Sequence, residues 1–234
     1  MTILAIDTSE QACSVALASG DTVIDSVSEI IGRGHAERLL PLIEERLTKA
    51  GLGYADFTRI AVTTGPGTFT GLRIGLAVAR GLALQAGIPC IGMTGLAVLA
   101  AQVNAIAGTP IHAMITGRGG QAFYQRFQAS ADGGMPELVT EAVGLDAEDI
   151  ATEVTKAAGV VIGSGVDLLL EKGLLDRSED SRIKLSDARI IDPAKLALLA
   201  QNLEPEAYSP EPTYFRAADA KKATPILPVA QSGG

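Results

Sequence analysis

The chain has 234 residues, enough for one large domain or two modest ones, and 47% of them are hydrophobic while only 4% are aromatic and none is Trp. A core built on Ala, Val, Ile and Leu suits α/β layers, in which β-branched strands pack under Ala- and Leu-rich helices. A net charge of −8 and a pI of about 4.8 exclude a protein that grips nucleic acid by its own basic face.

In chain order, Ile3–Asp7, Cys13–Ser19 and Thr22–Glu29 read as three short strands. A polar link, Thr8 to Gln11, joins the first two, and Gly20-Asp21 makes a tight turn between the second and third. The apolar period then lengthens. Ala36, Leu39, Leu40, Ile43, Leu47 and Ala50 recur as on an amphipathic helix, Gly51 caps its end, and Pro41 should bend it. Arg59–Thr64 returns to strand, Gly65–Thr70 is turn-rich, Gly71–Gln85 is a second helix, Ile88–Met93 a strand and Gly95–Ala107 a third helix. Three antiparallel strands followed by alternating helices and strands are the plan of the ribonuclease-H-like half-domain of actin-like ATPases.

From Pro110 the plan starts again in weaker form. Ile111–Thr116, Gln121–Ala129 and Leu138–Val143 are strand-like, Asp146 caps a helix to about Ala158, and Val160–Ile162 is a short strand ending in Gly163-Ser164-Gly165. Asp192-Pro193 opens the last clear helix. The expected fold is therefore α/β, two tandem βββαβα-type lobes with the second reduced. The expected divisions are residues 1–108, residues 109–204 and a Pro-rich extended tail, residues 205–234, holding five of the eleven prolines.

Chemistry-bearing patterns are few. Asp7-Thr8-Ser9 ends the first strand, where an actin-like ATPase places an acid facing nucleotide phosphates; the alternative is that Asp7 and Ser9 merely satisfy the turn. Gly65-Pro66-Gly67-Thr68-Phe69-Thr70-Gly71-Leu72-Arg73-Ile74-Gly75 is the densest motif. Gly65 and Gly67 shape a turn whose amides could hold an anion, and Thr70 can cap the helix behind it, but the Lys of a Walker A loop is missing. Gly71, Gly75, Ala79 and Ala83 form a smooth lane that admits another backbone, within the core or across a subunit contact, with Arg73 and Arg80 beside it. His35 and His112 are not spaced as a metal pair, no catalytic constellation emerges, and Cys13 and Cys90 read as buried free thiols. No signal peptide or membrane span is expected, and the expected compartment is the cytoplasm.

Ile3–Ser9 with Cys13–Leu17, His35-Ala36-Glu37-Arg38-Leu39-Leu40-Pro41, the Gly65–Gly75 motif, Ile88–Gly92 and Pro212-Thr213-Tyr214-Phe215-Arg216 resemble the TsaB (YeaZ) family, tightly in the first half and thinly in the second. These are subunits required to make threonylcarbamoyladenosine on tRNA. The resemblance implies an actin-like fold without a working ATPase site. It also implies partnership with the catalytic paralogue TsaD and the ATPase TsaE, contact with tRNA only through the complex, and a homodimer when isolated. No cofactor of its own is implied; ATP or ADP could sit at a subunit junction. TsaD carries a metal-binding His-x-x-x-His where this chain reads Gly92 to Ala97, without a histidine. The first-lobe helices are the implied docking face. Leu39, Leu42, Ile43, Leu72, Arg73, Leu76 and Arg80 are thus the interface candidates, Leu42 because it falls off the expected buried stripe. Asp7, Thr8, Ser9, Gly65 and Gly67 are the possible nucleotide-facing residues. The family's Asp-Ala-Arg-like opening of the second lobe is replaced here by Ile115-Thr116-Gly117-Arg118-Gly119-Gly120, which should loosen that hairpin.

Overall fold

The computed structural model describes residues 1–131, 134–176 and 182–213. Strands β1 (Thr2–Asp7), β2 (Ala12–Ser19) and β3 (Thr22–Ile30) form an antiparallel meander, followed by α1 (His35–Ala50), β4 (Arg59–Thr63), α2 (Phe69–Ala86), β5 (Cys90–Met93) and α3 (Gly95–Ala101). The sheet order is β3-β2-β1-β4-β5, with β4 parallel to both β1 and β5.

The second sheet is built from β6 (Pro110–Thr116), β7 (Gln121–Gln128), β8 (Glu137–Leu138), β9 (Val143–Asp146), β10 (Val160–Ile162) and β11 (Lys184–Leu185). Helices α4 (Ala147–Lys156), α5 (Gly165–Glu171) and α6 (Pro193–Ala200) complete the lobe. Its order β11-β10-β6-β7-β8, with β9 also on β7, repeats the first sheet, so the chain holds two actin-like lobes with the second reduced.

Alternation along β1 explains the layers. Leu4 and Ile6 point out to the α1/α2 core, with Val15, Leu39, Ile43 and Leu76, whereas Ile3 and Ala5 point into a core shared by both lobes. Burial on both faces is why β1 and β2 read as nearly continuous apolar runs. Each lobe lends a helix to the other: α6 lies on β1, β2 and β3, while α3 lies on β6 and β7. Ala5, Ala16, Ala18 and Ala61 keep the first sheet low enough for this crossing. Arg59 on β4 then ties α6 down, its Nη1 donating to Ala200 O (2.5 Å) and Leu203 O (2.6 Å) at the carbonyl end of that helix.

Several boundaries differ from expectation. Helix α2 begins at Phe69 and its cap is Thr68, which accepts the Gly71 amide at 3.2 Å, because the chain is still extended at Thr68; Thr70 lies inside the first turn. Helix α3 stops at Ala101, well short of Ala107. The strand expected over Leu138–Val143 is two short pieces on β7, and α5 was hidden behind a glycine-rich turn. Helix α1 runs unbroken through Pro41. Cys13 and Cys90 are free, and burial pushes their thiols up to about 11 and about 12. Past α6, the Gly92 amide donates to Tyr208 O and the Thr213 amide to Thr64 O, both at 2.8 Å, so residues 208–213 run beside β5. The remainder of the expected tail, from Tyr214, lies outside the described residues. No described helix is long and apolar enough to cross a membrane.

Candidate functional site

The end of β1 meets the start of α2 at the bottom of the cleft between the lobes. Asp7 is buried, and its Oδ1 accepts from the Ser9 amide (3.1 Å), the Ser9 hydroxyl (2.7 Å) and the Thr63 hydroxyl (2.5 Å). Burial pushes its carboxyl above the usual range, and these hydrogen bonds oppose that rise. Thr8 donates to Gly71 O at 2.7 Å, and the Thr68 amide donates to Ser9 O at 2.7 Å. This stitching requires glycine on α2 and before it. A Cβ on Gly67 would collide with Ser9 O, one on Gly71 with Thr8 O, and one on Gly75 with Thr8 Oγ1. The lane of small residues therefore faces this chain's own β1 turn. Gly65 takes a φ of 111°, and its carbonyl accepts the Gly95 amide at 2.8 Å, hooking α3 onto the same loop.

Of the possible nucleotide-facing residues, Asp7, Thr8 and Ser9 are thus drawn together as fasteners within the first lobe. Gly67 and Thr68 instead line two adjoining recesses of the cleft. One, about 450 Å³, is walled by Glu10, Thr116, Ser164 and Arg189; the other, about 660 Å³, by Phe69, Arg118 and Phe123. Arg73 covers the Phe69 ring, 3.7 Å from its centroid. Glu10, Thr68 and Ser164 were missed from the sequence. Only Thr68 had a readable signal, a hydroxyl just before an apolar helix.

The docking candidates divide in two. Leu39, Leu42, Ile43, Leu72 and Leu76 are all buried inside the first lobe, at most 5% exposed, and cannot touch a partner while the lobe is folded. The sheet sets the helix phase: α1 turns His35, Leu39, Leu42, Ile43 and Leu47 inward, so Leu42 belongs to the stripe and Leu40, 46% exposed, does not. Arg73 and Arg80 are exposed. Around them the outer face of the two helices carries Leu40, Pro41, Ala77 and Leu84, the last 85% exposed.

Among the described residues no group of three or more His, Cys, Asp or Glu could hold a metal ion. His112 is a core residue: its Nε2 donates to Ala157 O (2.7 Å), its Nδ1 accepts from the Tyr124 hydroxyl (2.8 Å), and burial lowers its pKa. His35 is buried at the start of α1.

The family model described as TsaD, tRNA N6-adenosine threonylcarbamoyltransferase, matches residues 25–161. The tRNA threonylcarbamoyladenosine biosynthesis protein TsaB of Escherichia coli (strain K12) is 35% identical over 96% of this chain and 99% of its own length. The solved structure of YeaZ from Pseudomonas aeruginosa superposes with a TM-score of 0.75 at 30% identity, over 92% of this chain and 99% of that one. The activator of the 2-hydroxyisocaproyl-CoA dehydratase from Clostridium difficile, solved with bound ADPNP, shares the fold alone, at a TM-score of 0.51 and 14% identity over 86% and 94% of the two chains. The sequence likeness over nearly the whole chain and the matching two-lobed fold place this chain in the TsaB (YeaZ) family of tRNA threonylcarbamoyladenosine biosynthesis proteins.

Proposed function

We propose that this chain is a non-catalytic partner subunit that docks and activates TsaD through the outer face of α1 and α2. The observation that carries this is the set of exposed apolar residues on these two helices, Leu40 and Pro41 on α1 with Ala77 and Leu84 on α2, the last two alternating with Arg73 and Arg80 along one helix face. Covering Leu84, 85% exposed, is worth up to about 1.5–3 kcal/mol and the half-exposed Leu40 about half as much, and arginines beside them add specificity and steering. The same face closes a homodimer when the protein is alone, TsaE joins the assembly formed with TsaD, and tRNA is met only through that assembly. ATP or ADP, on this reading, belongs at a subunit junction. In this chain's own cleft Asp7 Oδ1 is already filled by Ser9 and Thr63, and the acidic side chains of Asp167 and Glu171 on the wall of the adjoining recess disfavour phosphate.

Gel filtration with purified TsaD tests the reading. Leu40→Glu combined with Leu84→Glu should abolish co-elution and stop tRNA modification in a reconstituted mixture, while the variant's circular dichroism stays that of the parent. Undiminished co-elution of that folded variant would sink the docking face. Titration calorimetry with magnesium-ATP separates the competing nucleotide-binding reading, which requires heat of binding that Asp7→Ala removes.

A further inference from the structure

One run of hydrogen bonds crosses the cleft from lobe to lobe, away from the docking helices. Glu10 stands in the turn between β1 and β2, and its Oε1 accepts the hydroxyl hydrogen of Ser164, the residue before α5. Ser164 Oγ in turn accepts the Thr116 amide, at the end of β6, at 3.0 Å. Glu10 Oε2 is buried and has no hydrogen-bond partner among the described residues. An ionised carboxylate in this position holds its charge on one donor, where two or three are needed to settle it away from water. A neutral carboxyl leaves one O–H without a partner, a smaller cost than a buried charge.

The surrounding charges do not relieve it. Asp7, at the end of β1, raises the Glu10 pKa further, and Asp167 and Glu171 on α5 line the same recess. Arg189 is the cation of that recess, and it is engaged by Asp167 Oδ1 at 2.7 Å and by Ser186 O. Burial first, then Asp7, push the Glu10 carboxyl up to about 7, with the Ser164 hydrogen bond opposing them.

We propose that Glu10 and Ser164 form a proton-controlled latch across the interlobe cleft: neutral Glu10 holds this side of the cleft closed, and its ionisation releases the contact while the shared core keeps the lobes joined. The closed form keeps the proton until about pH 7, whereas a hydrated carboxyl in the open form loses it near 4.5. Closure is therefore favoured in full below the lower value and weakens as pH rises through 7. The open-to-closed ratio grows by at most roughly 300-fold across that window. Asp7 does not share this behaviour, because Ser9 and Thr63 both belong to the first lobe and stay with it when the cleft opens.

Amide hydrogen exchange of the full chain from about pH 5.5 to about pH 8.5, corrected for intrinsic exchange, reads the latch at Thr116, whose amide is covered by Ser164 Oγ only while the Glu10 contact holds that side chain in place. Protection should fall about tenfold or more as pH passes 7. Glu10→Gln should keep the low-pH protection throughout, and Ser164→Ala should lack it throughout. Protection that stays level across pH 7 in the parent, or that falls equally in Glu10→Gln, would overturn the latch. The carbon-13 titration of the Glu10 carboxyl decides the matter without any variant: a midpoint near 7 supports the latch, and one below about 5.5 removes it.

Discussion

Helix α2 has two apolar faces that do opposite things. Gly71, Gly75, Ala79 and Ala83 are buried against this chain's own β1 turn and sheet, while Ala77, Gly81 and Leu84 look outward with Arg73 and Arg80. Both faces are rich in small or apolar residues, so composition does not separate them. Their neighbours do: a Cβ on the inner glycines meets backbone or the Thr8 side chain within bonding reach, and one on Gly81 meets nothing within 4 Å. The inner face fixes the fold, and the outer one is the face proposed to meet a partner.

The hardest break of this contrast is Gly71→Val. Its Cβ would collide with Thr8 O and lie 2.6 Å from Thr68 Oγ1, two groups held by the hydrogen bonds that close the β1 turn. Neither can move without undoing the start of α2. A loss of more than about 4 kcal/mol is expected, read as failure to recover folded protein or as a collapsed urea midpoint.

Next comes the pair Leu39→Glu and Leu40→Glu, which reads the phase of α1. Leu39 has no exposed surface, so a carboxylate there is buried unpaired and should cost at least about 3 kcal/mol. Leu40 is 46% exposed, and the same change should move stability by no more than about 0.5 kcal/mol. Equal urea midpoints for the two variants would show that the helix is seated on a different face.

This pair also marks the limit of what the sequence could say. The apolar runs of β1 and β2, the turn at Gly20-Asp21 and the Gly51 cap of α1 are local patterns, and each reads correctly from its own residues. Leu39, Leu40, Leu42 and Ile43 crowd less than two turns of helix, so period alone permits more than one inward stripe; the sheet beneath selects it. The docking candidates inherited that ambiguity, which is why five of them proved to be core. The Glu10–Ser164 contact was beyond any local pattern, since it joins positions 154 residues apart that only the packing of two lobes brings together. Asp7 was legible as important but not as to its role, because a phosphate-facing acid and a turn-fastening one have the same sequence.

A smaller effect is expected at the shared end of the two faces. Thr68→Ala removes the acceptor for the Gly71 amide, a capping loss of about 1 kcal/mol in urea denaturation. The cleft loses a hydroxyl from its wall at the same time, yet co-elution with TsaD should persist, because Thr68 stands at the tip of α2 and away from Leu84.

The finest test is Gly81→Ala. Gly81 sits in the middle of α2, its φ is ordinary for a helix, and an added methyl finds open space. Alanine narrows the unfolded chain's freedom and suits the helix, so the isolated protein should gain about 0.5–1 kcal/mol, seen as a higher urea midpoint. The same change at Gly75, six residues earlier, should do the reverse, since its Cβ would press to 2.5 Å from Thr8 Oγ1. A partner helix that packs closely over Ala77 and Gly81 would feel the methyl that the free protein does not. Gly81→Ala should then weaken co-elution with TsaD while strengthening the fold, and a variant that is more stable yet still fully bound would place the closest approach nearer Leu84.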